Sequence, residues 1–148
     1  MKRMKKVLLL CIIATAAYTA GAQMPASSRQ NQFSKLSSKL PTPLSELEKA
    51  FLAPEGTKLQ LKFSNLTFSG IVLSSVKKYD NLYNVVIRSS SLDNTLFSIS
   101  KRIEEDSSVS YVGRIINEKY ADGYELKKEN DGTYSLNKIK TEELIQDF

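Results

Sequence analysis

The residues of this chain that best suit binding are tyrosines in two pairs. Tyr79 and Tyr83, and again Tyr120 and Tyr124, lie four residues apart at matching places in two similar stretches. Two residues at this spacing on a strand or turn share one sheet face or rim. Tyrosine gives a large contact area at low entropic cost, and nearby Ser and Asn residues add adaptable polar contacts. We therefore take these tyrosines as candidate binding residues, the alternative being ordinary half-buried tyrosines of a sheet.

Arg114 is a further binding candidate, because it is a charged residue within a run of apolar residues. Its guanidinium could pair with Asp122 or with an acidic group of a partner. The plainer alternative is a salt bridge at the rim of the sheet.

Catalytic chemistry has little support in the sequence. The chain has no histidine, and Cys11 is its single cysteine. No serine lies in a G-x-S-x-G elbow. Glu104–Asp106 is the densest acidic group, but neighbours on one loop do not oppose each other across a cleft, as glycoside hydrolysis requires. We therefore predict no catalytic residue and no enzyme; the alternative is a small hydrolase whose carboxylates come from separate loops.

Metal and cofactor sites are not predicted either. Glu129–Gly132 offers oxygen ligands that suit calcium, but the twelve-residue spacing of a calcium loop is missing. The same residues are typical of a tight turn. The sequence thus predicts no metal and no cofactor.

The N-terminus has the order of a secretory signal peptide. Four basic residues within residues 2–6 precede the short apolar run Val7–Ala17, and small residues stand at Ala20–Ala22. This pattern predicts a signal peptide over residues 1–22, cleaved between Ala22 and Gln23, since the apolar run is too short to span a bilayer. We expect the protein to be exported to the periplasm or the extracellular space.

Net charge does not favour nucleic acid as a partner. The chain has 21 basic and 16 acidic residues, and removing the four basic residues of the leader leaves 17 against 16. A nucleic-acid-binding domain usually carries a basic stripe of its own. No second apolar run reaches membrane length, so no membrane span is expected after cleavage.

The remaining chain divides into a tether and one domain. Residues 23–41 are rich in Ser, Gln, Asn and Pro and predict a flexible tether. Residues 42–148 predict a single mainly-β domain that opens with a short helix over residues 43–52, with Thr42 as its N-cap and Pro43 in its first position. Thr141 could cap a last helical turn.

Seven strands follow the helix. Leu59, Leu61 and Phe63 alternate with polar residues from Thr57 onward, which indicates a half-buried strand. The other predicted strands are Phe68–Val76, Tyr83–Arg88, Thr95–Lys101, Val109–Ile116, Tyr124–Lys128 and Thr133–Ile139.

An internal repeat is visible in this strand region. Phe68–Leu73 resembles Tyr111–Ile116, the tyrosine pairs match, and Phe97–Lys101 resembles Tyr134–Lys138. Each unit then contains three strands, the first with an early glycine, Gly70 or Gly113. Chance similarity between amphipathic strands is the alternative.

These patterns predict a small antiparallel barrel or a two-sheet sandwich of about seven strands. We expect a binding protein that recognises a protein or cell-surface partner through a tyrosine-lined rim or an exposed sheet edge. An inhibitor of an exported hydrolase is one version. A barrel that carries a ligand is a further alternative, unless Phe63, Ile71, Phe97, Ile99 and Leu136 fill its interior.

Overall fold

The structure is a computed structural model that describes residues 29–144. The predicted signal peptide and its cleavage site between Ala22 and Gln23 lie outside these residues. Within them the fold is mainly β, as predicted. The strands are β1 (Lys39–Thr42), β2 (Lys58–Phe63), β3 (Leu66–Tyr79), β4 (Leu82–Ser89), β5 (Leu96–Ile103), β6 (Val109–Ile116), β7 (Asp122–Lys128) and β8 (Tyr134–Lys140); the helix α1 is Leu44–Leu52, and a 3₁₀ turn follows at Thr141–Leu144.

The eight strands of the described chain form one antiparallel sheet in the order β1-β8-β7-β6-β5-β4-β3-β2. The sheet curls into a half-barrel, so the two-sheet sandwich is not the architecture found. We call the end with the β3–β4 turn the upper end and the end with the β6–β7 loop, residues 117–121, the lower end. Since neighbouring strands alternate in direction, successive turns alternate between these ends.

Helix α1 packs on the concave face of the sheet and closes the half-barrel. Leu47 and Ala50 are fully buried, as their helical spacing predicts. The predicted cap at Thr42 is wrong: the N-cap residue is Pro43, and the Thr42 hydroxyl donates to the carbonyl of Leu40. The helix ends at Leu52 because Pro54 disfavours helical geometry at Ala53, which is extended.

Apolar side chains fill the interior of the half-barrel. The ring of Phe97 lies 5.6 Å from that of Phe63 and 5.7 Å from that of Phe68. Ile99 and Leu136 are buried beside them, whereas Ile71 is only partly buried. Four of the five residues that the sequence places in the interior are therefore buried there, and Ile71 is the exception.

The segment before the helix departs most from the sequence prediction. Residues 29–41 were expected to belong to a tether, yet Phe33 is buried and Lys39–Thr42 pairs with β8. Phe33 packs edge-on against the ring of Tyr124, with 5.1 Å between ring centroids. Leu40 is also fully buried. A few well-placed apolar residues therefore anchor a segment whose average composition is that of a linker; residues 23–28 lie outside the described range.

The segment crosses the lower end as a strap, which we define as residues 30–38. The Asp122 carboxylate accepts the backbone N–H groups of Gln32 and Phe33 at 2.6 and 3.1 Å. The Lys138 ammonium donates to the carbonyls of Phe33 and Leu36 at 2.8 and 2.7 Å. These bonds satisfy backbone groups that would otherwise be buried without partners.

The strands of the two units proposed from the sequence are β3–β4–β5 and β6–β7–β8, which follow one another in the single sheet. Their second and third strands pair in the same register: Tyr83 lies opposite Lys101, and the matching Tyr124 lies opposite Lys138. The first strands differ, because β6 pairs with β7 over only three residue pairs.

Gly70 is required by close packing between strands. A Cβ atom there would lie 2.5 Å from the carbonyl oxygen of Arg88. The matching Gly113 has the same constraint, with 2.8 Å to the carbonyl oxygen of Ser98. The register of β3 against β4 shifts further along the strand, at Leu73 and again at Lys78.

Candidate functional site

The four candidate tyrosines do not form one rim. Tyr79 and Tyr83 flank the β3–β4 turn at the upper end, while Tyr120 and Tyr124 lie at the lower end. The reason is geometric: each repeated unit has three strands, so the equivalent strands β3 and β6 run in opposite directions. Equivalent residues of the two units therefore lie at opposite ends of the sheet.

The lower pair is engaged within the protein. Tyr124 is fully buried, and its hydroxyl donates to the Ser37 carbonyl at 2.7 Å. Burial, with a smaller contribution from the Asp122 charge, raises the pKa of Tyr124 to about 12. The Tyr120 hydroxyl approaches Asp93 at 3.4 Å and ties two lower loops together. Tyr124 thus acts in anchoring the strap, and its surface is not available to a partner.

Arg114 has an intramolecular partner, but not the one predicted. Its guanidinium donates to the Glu125 carboxylate at 3.1 Å, since Arg114 and Glu125 are opposite each other in β6 and β7. Burial acts to raise the pKa of Glu125, but hydrogen bonds from Lys127 and Arg114 hold it below its usual value. Asp122 is committed instead to the strap.

Arg114 and Glu125 border a depression of about 810 Å³ on the outer face of the sheet. Val86, Ser98 and Val112 also line it. Val112 is 61% exposed. The depression extends over the place where β6 and β7 separate, and there the Tyr134 hydroxyl accepts the N–H of Tyr111.

The upper tyrosines lie beside an unpaired strand edge. β2 pairs with β3 from Leu66 to Ile71, and the Val72 N–H donates to the Thr57 carbonyl at 3.0 Å. No strand of the described chain pairs with β3 on that side beyond Val72. We call Leu73–Tyr79 the free edge. Its last five residues, from Ser75 onward, are exposed.

Two exposed apolar side chains, Val76 and Tyr79, flank two exposed lysines on the free edge. Val76 is 50% and Tyr79 61% exposed. The Lys77 ammonium lies 5.9 Å from the centre of the Tyr83 ring and 3.1 Å from the Asp80 carboxylate, and the hydrogen bond with Asp80 raises the pKa of Lys77. The Lys78 ammonium lies 5.8 Å from the centre of the Tyr79 ring. The two lysine ammonium groups thus lie within cation–π distance of the two tyrosine rings at the upper end.

A second cluster at the upper end joins the helix to the sheet. The Glu48 carboxylate accepts hydrogen bonds from the Tyr111 hydroxyl and, at 3.2 Å, from the Lys101 ammonium. The bond from Tyr111 lowers the pKa of Glu48, against a smaller opposing effect of burial, and Lys101 lowers it further. Burial, followed by the bond with Glu48, raises the pKa of Tyr111. Sequence reasoning did not single out these residues, because they come from three separate elements.

The acidic groups considered from the sequence serve as turn residues. The Asp106 carboxylate accepts the N–H of Ser108 at 2.9 Å, and Asp131 accepts that of Thr133 at 2.9 Å. The side chains of Ser108 and Thr133, and after them these backbone N–H groups, lower the pKa of the two carboxyls. Among residues 29–144 no group of three or more His, Cys, Asp or Glu side chains is arranged to hold a metal ion.

Comparison with known protein families, curated proteins and solved structures finds no match for this chain. Among the described residues, no helix has the length and apolar character needed to cross a membrane.

Proposed function

We propose that this protein is an exported binding module that recognises a partner protein through its upper end. The observation that carries the proposal is the free edge of β3, which combines unpaired backbone with exposed side chains. Val76 and Tyr79 supply apolar contact area there, and Lys77 and Lys78 supply charge. Strand edges of this kind are a common basis of protein recognition.

The other candidate surfaces support the proposal less well. Tyr120 and Tyr124 are engaged within the fold, and Arg114 is paired with Glu125. The acidic turn residues accept local backbone N–H groups.

The proposal that the protein is exported rests on the predicted signal peptide alone. Such a protein would meet its partner in the periplasm or outside the cell. Immobilised protein should capture a partner from envelope or culture fractions of the source cells.

Variants locate the binding surface in that capture experiment. We expect Tyr79→Ala to reduce capture, because Tyr79 is exposed and its loss leaves the fold intact. Tyr120→Ala is the matched control at the opposite end, and it should capture as wild type does. Equal capture by wild type and both variants would contradict recognition at the upper end, as would loss with Tyr120→Ala alone.

A further inference from the structure

We propose that the free edge of β3 binds an acidic, extended segment of the partner, which adds to the sheet as one more strand. This inference rests on the proposed function and deepens it, since it specifies the chemistry and the geometry of recognition at the upper end.

The free edge is available to a strand, whereas the neighbouring edge of β2 is covered. Helix α1 occupies the β2 edge with two side chains: Glu46 accepts the N–H of Lys62 at 2.8 Å, and Lys49 donates to the carbonyl of Gln60. β2 begins at Lys58, which lies opposite Ile71, so β2 does not extend beside the upper part of β3. An added strand would therefore continue the line of β2 toward the upper end and pair with β3 beyond Val72.

The regular part of the free edge is short. The β3–β4 ladder is interrupted at Leu73 and again at Lys78, which leaves Ser74–Lys77 as its regular stretch. Bulges increase local twist and limit how far a second strand can follow. A segment of about four to six residues is thus the expected occupant, and its binding depends on side chains as well as on backbone hydrogen bonds.

The charges around the free edge favour an acidic occupant. Lys77 and Lys78 are exposed on the free edge itself, and the acid next to them in the chain, Asp80, is paired with Lys77. The other acids of this region, Glu55 and Glu104–Asp106, lie in the turns before β2 and after β5 and not on the edge strand. The Lys77–Asp80 pair has its carboxylate fully in solvent, so an incoming carboxylate can replace it with little loss. Opposite charges facing each other across two strands stabilise their pairing, whereas like charges oppose it.

The same charges argue against a second copy of this chain as the occupant. Two free edges brought together would place the lysines of one copy near those of the other. Lysines and bulges on an edge strand are a recurrent means of preventing self-association. The lysines therefore disfavour pairing between two copies of the chain and favour the binding of an acidic segment.

Short peptides test this inference with the purified protein. Three eight-residue peptides serve as probes: one alternating Thr and Glu, one with Lys in place of each Glu, and the Thr/Glu peptide N-methylated at alternate residues. Binding is followed by amide NMR shifts. We expect the acidic peptide to shift amides of Leu73–Tyr79 and to bind about tenfold more tightly than the other two, because only it offers both charge and pairing groups.

Charge reversal gives a second, independent measurement. Lys77→Glu with Lys78→Glu should reverse the preference between the acidic and basic peptides, and Lys35→Glu, an exposed turn residue of the strap, should leave it unchanged. Equal binding of the N-methylated peptide would overturn strand addition, and equal binding of the basic peptide would overturn charge complementarity. Self-association of the protein through residues 73–79 would also overturn the inference.

The peptide experiment separates this inference from the proposed function. If capture of a partner depends on Tyr79 but no peptide binds the free edge, strand addition fails and recognition at the upper end stands. If capture is indifferent to Tyr79, the proposed function fails as well.

Discussion

Replacing Phe33 by alanine tests whether the strap is part of the fold. Phe33 is 1% exposed, and its ring packs against that of Tyr124 with 5.1 Å between centroids. Truncating a buried phenylalanine to alanine typically costs about 3–5 kcal/mol, the sum of lost burial and of the cavity left behind. A domain of this size has a total stability of about 5–15 kcal/mol, so this loss would be a large fraction of it.

The assay is equilibrium unfolding in urea, followed by fluorescence or circular dichroism. Phe33→Ala should lower the free energy of unfolding by about 3–5 kcal/mol. The matched control is Leu52→Ala: Leu52 is an apolar residue of α1 that is 81% exposed, and its truncation should change stability by no more than about 0.5 kcal/mol. A loss below about 1 kcal/mol for Phe33→Ala would refute the packed strap and restore the flexible tether.

Three further predictions concern a hydrogen bond, a glycine and the N-terminal leader. Tyr111→Phe removes the hydrogen bond that lowers the pKa of Glu48, so it should cost about 1–2 kcal/mol at neutral pH in urea unfolding. Because the folded-state pKa of Glu48 is lowered, the contribution of this carboxylate to stability is complete above about pH 4.5 and is lost as pH falls further. Tyr111→Phe should therefore lose less stability than wild type between pH 5 and 3. Equal slopes of unfolding free energy against pH for the two proteins would contradict this pairing. Gly70→Ala should destabilise by about 1–3 kcal/mol in thermal unfolding, since its Cβ would meet the Arg88 carbonyl at 2.5 Å; an unchanged melting temperature would argue against the close approach. N-terminal sequencing of exported protein should begin at Gln23, and retention of Met1 would refute the leader.

The strands were predictable because alternation between apolar and polar residues is a local signal. β6 was predicted with its observed bounds, Val109–Ile116. The lower half of β3 was predicted for the same reason. Its extension to Tyr79 was not predicted, because Lys77 and Lys78 interrupt the alternation.

β1 and the strap were missed for a physical reason. Lys39–Thr42 is only four residues long and includes Pro41, which reads against a strand. Averaged composition hid the signal that was present: Phe33, Leu36 and Leu40 are apolar residues in an otherwise polar segment, and all three lie in or against the core.

The placement of the tyrosines could have been derived from the repeat itself. Two successive three-stranded units in an antiparallel meander must run in opposite directions, so their equivalent tyrosines cannot share one end. The partner of Arg114 could not be derived in this way, because the pairing with Glu125 depends on the register of β6 against β7. The free edge of β3 likewise depends on where β2 stops.

Site-specific photo-crosslinking tests recognition at the upper end most directly. A photoreactive phenylalanine at position 79 is exposed beside the free edge, and the same residue at position 120 reports on the lower end. Irradiation in the source cells should give a covalent adduct with a partner protein from position 79 and none from position 120. An adduct from position 120 alone, or from neither position, would contradict the account.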